Sequence, residues 1–100
     1  MKLGILVNTD RHRDHLVGLA HAAVSKGHQV IVFFMDDGVN LLSDPQVNEV
    51  SNIPDIEMNY CDYSTKRIDM STDGVSDNIG CGSQFNNATM NHDADRVIVL

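Results

Sequence analysis

The chain is short of three things: basic residues, cysteine and long apolar runs. Seven Lys and Arg stand against fourteen Asp and Glu, a net charge of −7. So acidic a chain has no general attraction for phosphate backbones or anionic lipid, which sets nucleic-acid and membrane-surface roles aside. No apolar run approaches the roughly 18 residues needed to cross a bilayer. The opening Met1-Lys2-Leu3-Gly4-Ile5-Leu6-Val7 is followed by no small-residue cleavage site, so it reads as a strand and not as a signal peptide. Two cysteines, Cys61 and Cys81, are too few for a secreted disulfide scaffold. The expectation is a cytoplasmic protein, in which the sequon Asn87-Ala88-Thr89 is incidental.

What is present is ordinary for a globular chain: 100 residues, 42% hydrophobic and 21% charged. That length suits one domain, residues 1–100, burying roughly two-thirds of its unfolded surface around one core. Lys2 to Val7 reads as a buried strand ending in the polar cluster Asn8-Thr9-Asp10. From Arg13 to Lys26, Leu16, Leu19, Ala20, Ala23 and Val24 fall on one helical face, and Gly27 closes it. Gln29 to Met35 is a second strand rich in β-branched and aromatic residues, stopped by Asp36-Asp37-Gly38. Strand, helix and strand with short links make a parallel, right-handed unit.

Val39 to Leu42 reads as a helical turn, and Ser43-Asp44-Pro45 starts another helix. Ile56 to Tyr60 alternates as a third strand running into Cys61, and Asp62 to Ile68 is helical. Ser71 to Gly80 reads as a loop. Ser83 caps a helix to His92, with Phe85, Ala88 and Met90 as its apolar contacts, and Arg96 to Leu100 is a closing strand. The fold class is α/β, a layered sandwich with a mainly parallel sheet flanked by helices. In such sheets chemistry collects at the carboxyl ends of the strands. Here those ends carry Asn8, the Asp36-Asp37-Gly38 turn and Cys61. Asp37 and Gly38 are candidates to line a site mouth, whereas Asp36 reads as a plain strand-ending turn.

Cys61 stands where a strand gives way to a helix. Only a thiolate is nucleophilic, and the unpaired N–H groups of a helix start favour it. Lys66 and Arg67 would add positive potential, which Asp62 opposes. The alternative is a cysteine packed under the helix, and spacing does not decide between them. Cys61 to Arg67 also matches C-x5-R, the spacing by which cysteine phosphatases and rhodanese-like proteins wrap an oxyanion. It has no glycine to let backbone N–H groups converge, so a helix is the more natural reading.

The ordered stretches Lys2 to Asp10, Ala22 to Gly27, Val32 to Val39, Cys61 to Arg67, Gly82-Ser83-Gln84 and Ala94 to Val99 together resemble the DsrE family, which includes TusD-like and YchN-like sulfur-relay proteins. The resemblance spans nearly the whole chain. It implies a compact α/β sandwich assembled as an oligomer, a trimer or hexamer of this chain, with sulfur donor and acceptor proteins as partners and no cofactor. The cysteine that carries a persulfide in the relay members matches Cys61. Asn8, Asp37, Gly38, Arg67 and Ser83 are the candidates to line the site around it.

Other groupings read as ordinary structure. His12 and His15 lie one helical turn apart, but nothing completes a metal set. Cys81 reads as a buried or incidental thiol. Met58, Tyr60 and Tyr63 are candidates for an oligomer interface. A flavodoxin is disfavoured because Asn8 to His12 lacks a phosphate-wrapping loop. A response regulator is disfavoured because no acidic pair ends the first strand. A persulfide carrier, a non-catalytic oligomeric binding module with Cys61 structural, and a C-x5-R phosphatase or rhodanese stand as the three readings.

Overall fold

The computed structural model describes residues 1–100. Strands β1 (Lys2–Val7), β2 (Gln29–Phe34), β3 (Ile56–Cys61), β4 (Ile79–Gly82) and β5 (Arg96–Val99) form one sheet. Their order is β4-β3-β2-β1-β5, and every neighbouring pair is parallel. Parallel neighbours need crossovers. Helices α1 (Arg13–Ser25), α2 (Pro45–Val50), α3 (Asp62–Arg67) and α4 (Gln84–Asp93) supply them, with a 3₁₀ segment, Asp36–Ser43, ahead of α2.

The strands alternate between two unequal cores. Ile5 and Val7, Val32 and Phe34, and Met58 and Tyr60 face one side. There they pack with Leu16 and Ala20 of α1, Val39 and Leu42 of the 3₁₀ segment, and Val47 of α2. The opposite side is thinner: Phe33 and Cys61 meet Met90 of α4, with Leu6, Ile31 and Met35 at its margin. Gly4 makes this second contact possible. A Cβ there would lie 3.1 Å from Ala94 Cβ and from Met90 Cγ, so a bare backbone lets α4 settle close to β1.

Right-handed crossovers explain the arrangement. The chain steps from β1 to β4 in one direction with its helices on the larger core, then returns across the other face through α4 to place β5 beside β1. The chain after β3 therefore turns to one face and the chain after β4 to the other. That makes the β3/β4 boundary the point where the winding reverses, the place where crevices open at strand ends.

The sequence expectations need three corrections here. The stretch Ser71 to Gly80 is not wholly loop, because β4 begins at Ile79. Its Ile-Gly-Cys-Gly has little strand propensity. It is a strand because β3 offers it an edge, with Met58 against Ile79 and Cys61 against Gly82. The 3₁₀ segment begins at Asp36 and is longer than the turn at Val39 to Leu42. In α4, Met90 alone is buried; Ala88 is exposed, and Phe85 is 77% exposed.

Candidate active site

A cavity of about 610 Å³ opens at the carboxyl ends of β2, β3 and β4. Met35 and Asp36 line it from the end of β2 and the 3₁₀ start. Cys61, Asp62, Tyr63 and Ser64 line it from the β3–α3 junction, and Gly82, Ser83 and Gln84 from the β4–α4 junction. It thus lies in the crevice where the helices after β3 and β4 part to opposite faces.

Cys61 is the last residue of β3 and the N-cap of α3. It is 3% exposed, so it forms the floor of the cavity. Strand alternation puts it on the face of Phe33 and Met90, opposite Tyr60. Its thiol makes no capping hydrogen bond, and Tyr63, Ser64 and Gln84 line the same cavity. Burial pushes its pKa up. The Ser64 hydroxyl, the Ser64 N–H, the Gln84 side-chain amide and the Tyr63 N–H push it down, and together they hold it below that of a free thiol. Gln84 Nε2 also lies 3.8 Å from Met35 Sδ, so its amide spans the cavity between the two sulfur-bearing side chains.

The two nearby cations do not act as the sequence implied. Lys66 Nζ pairs with Asp62 at 2.8 Å, one helical turn apart. The pair lowers the Asp62 pKa and raises that of Lys66. Arg67 pairs with Asp36 at 3.6 Å. Neither cation lines the cavity, so the thiolate is favoured by neutral donors and not by positive charge. Cys61 to Arg67 runs as strand end and helix, not as an anion-wrapping loop.

Of the residues selected from sequence, the cavity joins Cys61 and Ser83. Ser83 caps α4 through a reciprocal box: its hydroxyl accepts from Phe85 N–H at 3.2 Å, and its own N–H donates to Asn86 Oδ1 at 3.0 Å. Asn8, Asp37, Gly38 and Arg67 lie outside the lining. Gly38 has a structural duty instead: a Cβ there would stand 2.1 Å from the Val7 carbonyl oxygen. Asp36, read as a plain turn, does line the cavity. It sits in left-handed backbone at φ 49° and donates its N–H to Ser64 Oγ at 3.0 Å. Ser64 and Gln84 were missed. Polar residues at helix starts carry no periodic signal, and only their spacing of one turn or one strand end from a thiol marks them.

Cys81 is exposed, not buried. It stands opposite Tyr60 in the β3–β4 register and so faces away from Cys61. Residues on opposite faces of neighbouring strands cannot meet the geometry of a disulfide without moving the backbone. Met58 and Tyr60 are core residues, while Tyr63 is 74% exposed at the cavity rim. His12 and His15 have ring centroids 5.7 Å apart, and no cluster of three or more His, Cys, Asp or Glu is placed to hold a metal ion. No helix is long and apolar enough to cross a membrane.

Comparison with solved structures gives the same architecture. The crystal structure of the YchN protein from E. coli is 16% identical and aligns over 99% of this chain and 97% of that chain with a TM-score of 0.73. MTH1491 from Methanobacterium thermoautotrophicum, a protein of unknown function, is 14% identical and aligns over 99% and 98% with a TM-score of 0.77. At these identities the likeness is one of fold. No curated protein sequence matches the chain. The model of the DsrE/DsrF-like family matches residues 1–100, and the chain belongs to that family.

Proposed function

We propose that the protein is a sulfur carrier, accepting a persulfide on Cys61 and passing it to a partner thiol. The observation that carries this reading is the placement of Cys61 at a helix start on the floor of an open cavity, with its pKa lowered by four donors. Membership of the DsrE/DsrF-like family supports it. In loading, the Cys61 thiolate attacks the outer sulfur of a donor R–S–SH. The new bond gives Cys61–S–SH, and R–S⁻ leaves. In unloading, an acceptor thiolate takes that outer sulfur and returns Cys61 to the thiolate. Both steps are thiol exchange, governed by thiolate fraction, leaving group and access.

The partners in this reading are sulfur donor and acceptor proteins. The working form is a homo-oligomer, a trimer or hexamer, in a reducing compartment such as the cytoplasm, where the thiol stays free. Exposed Tyr63 at the rim and Phe85 beside Gln84 offer aromatic surface at the place where a partner must approach.

Exposure to polysulfide followed by peptide mass analysis tests the reading. The peptide containing Cys61 gains about 32 Da, removable by a thiol, and Cys61→Ser abolishes the gain. The 3% exposure of Cys61 favours the rival reading of a binding module with a packed cysteine. No gain on the native protein, with gain only after denaturation, decides for that module. Nothing in the cavity lining favours a C-x5-R phosphatase, because Arg67 is turned to Asp36.

A further inference from the structure

We propose that Cys61 and Met35 form a two-sulfur site for a soft monovalent cation, copper(I), at the floor of the cavity. Such a site needs no persulfide and stands independently of the carrier reading.

The sheet register makes the two residues neighbours. Phe34 stands opposite Tyr60, so the next residue on each strand, Met35 and Cys61, continues the ladder side by side. Met35 is still strand-like at that point. Its backbone is extended at φ −145° and ψ 170°, and its N–H donates to the Val7 carbonyl at 2.9 Å. Alternation then puts its side chain on the face of Phe33, which is the face of Cys61, and Met35 packs against the cluster of Phe33, Cys61 and Met90. Neighbouring strands lie about 4.8 Å apart, so one ion bound between them meets both side chains. On the other flank of Cys61 stands Gly82, whose lack of a side chain leaves space over the thiol. Met90 is not a third ligand. It seats over Gly4, which pairs with Ile31, four residues before Met35.

Both ligands are held in place by the fold. Gln84 Nε2 donates to Met35 Sδ at 3.8 Å, and Gln84 Oε1 accepts from Asn87 Nδ2 at 3.1 Å. A thioether has two lone pairs, so one stays free for a metal. Asp36, next to Met35, donates its N–H to Ser64 Oγ at 3.0 Å, which ties the end of β2 to the helix that Cys61 starts. Outer contacts of this kind orient metal ligands and raise affinity.

Donor chemistry selects the ion. Thiolate and thioether are soft ligands and favour Cu(I). Zinc takes four donors, commonly imidazole or thiolate, and the cavity lining has no histidine and no second thiol. Its carboxylates are already engaged, Asp36 by Arg67 at 3.6 Å and Asp62 by Lys66 at 2.8 Å. Charge gives the same answer. Cys61 is 3% exposed, and a bare thiolate there carries a desolvation cost. One monovalent cation cancels that charge, whereas a divalent one leaves an excess. Binding is Cys61–SH + Cu⁺ → Cys61–S–Cu + H⁺. The proton passes to water, and copper keeps its oxidation state.

The test uses the full chain with Cys81→Ser, so that one thiol remains. Cu(I) is supplied without oxygen as its bicinchoninate complex, and the protein competes for it. One equivalent passes to the protein, C61S takes none, and M35L binds about tenfold or more weakly. Zn(II) offered against a chromophoric indicator gives no stoichiometric complex. In protein labelled at the methionine methyl groups, Cu(I) shifts the Met35 NMR signal, assigned by its loss in M35L, and leaves that of Met90 in place. Equal affinity in M35L, an unmoved Met35 methyl or no copper uptake overturns the proposal. If M35L loses its cooperative melt, M35I makes the same comparison. Protein that binds copper through both sulfurs but takes up no sulfur from polysulfide keeps this site and loses the carrier reading.

Discussion

Burial alone would keep a thiol on a cavity floor protonated. Around Cys61 that penalty is outweighed by the Ser64 hydroxyl, two N–H groups at the start of α3 and the Gln84 amide. Tyr60, one residue earlier, shows the opposite balance. Burial first, then a hydrogen bond to Cys81 and the charges of Cys81 and Asp62, push its pKa up to about 12 against a weaker pull from Thr72. The unfolded phenol ionises near pH 10 and the folded one near 12. Tyr60 therefore contributes stability in full below about pH 10 and loses it as pH rises from about 10 to about 12. Urea titrations at stepped alkaline pH are expected to show that fall in the wild type and a shallower one in Tyr60→Phe. The position of Cys61 at a strand-to-helix junction was legible from the alternation of Ile56 to Tyr60 ahead of it. Its helpers were not: Ser64 and Gln84 act through where the end of β2 and the turn into α4 place them, and neither position is written in local sequence.

Elements were legible in proportion to how much of their structure is local. β1, α1, β2 and α3 carry their own periodicity, capping or β-branched runs, and the structure has them within a residue or two of expectation. β4 carries almost none, since two of its four residues are glycine. It exists through its neighbour β3, and without it the reversal of winding that opens the cavity could not be seen. The glycines at these junctions make firm demands. Gly38→Ala forces a methyl against the Val7 carbonyl and is expected to cost about 1–3 kcal/mol, read as a lowered urea midpoint with unchanged slope. Gly82→Ala would meet Asn86 Oδ1 at 2.3 Å, the atom that receives the Ser83 N–H. Ser83→Ala removes the other half of that cap and is expected to cost about 1 kcal/mol. Because Ser83 also lines the cavity, its loss should loosen the Gln84 wall and slow Cys61 alkylation modestly, a coupling visible by comparing melt and labelling on one sample.

The whole molecule is a parallel sheet with a thick core on one face and a single helix on the other. Stability and chemistry are thereby separated. The large core, centred on Ile5, Leu16, Val32 and Leu42, lies opposite the Cys61 face. Leu42→Ala is expected to lower unfolding free energy by about 2–5 kcal/mol while leaving the pH profile of Cys61 labelling where it was, provided the protein is assayed well below its melting point. The two thiols stand on opposite faces of the sheet and give an internal comparison. Native protein is labelled with iodoacetamide at stepped pH, digested, and the Cys61 and Cys81 peptides are quantified separately. Cys61 is expected to react in the folded state with a midpoint below that of a free thiol. A Cys61 that stays unlabelled at every pH until denaturant is added, while Cys81 reacts throughout, would contradict it.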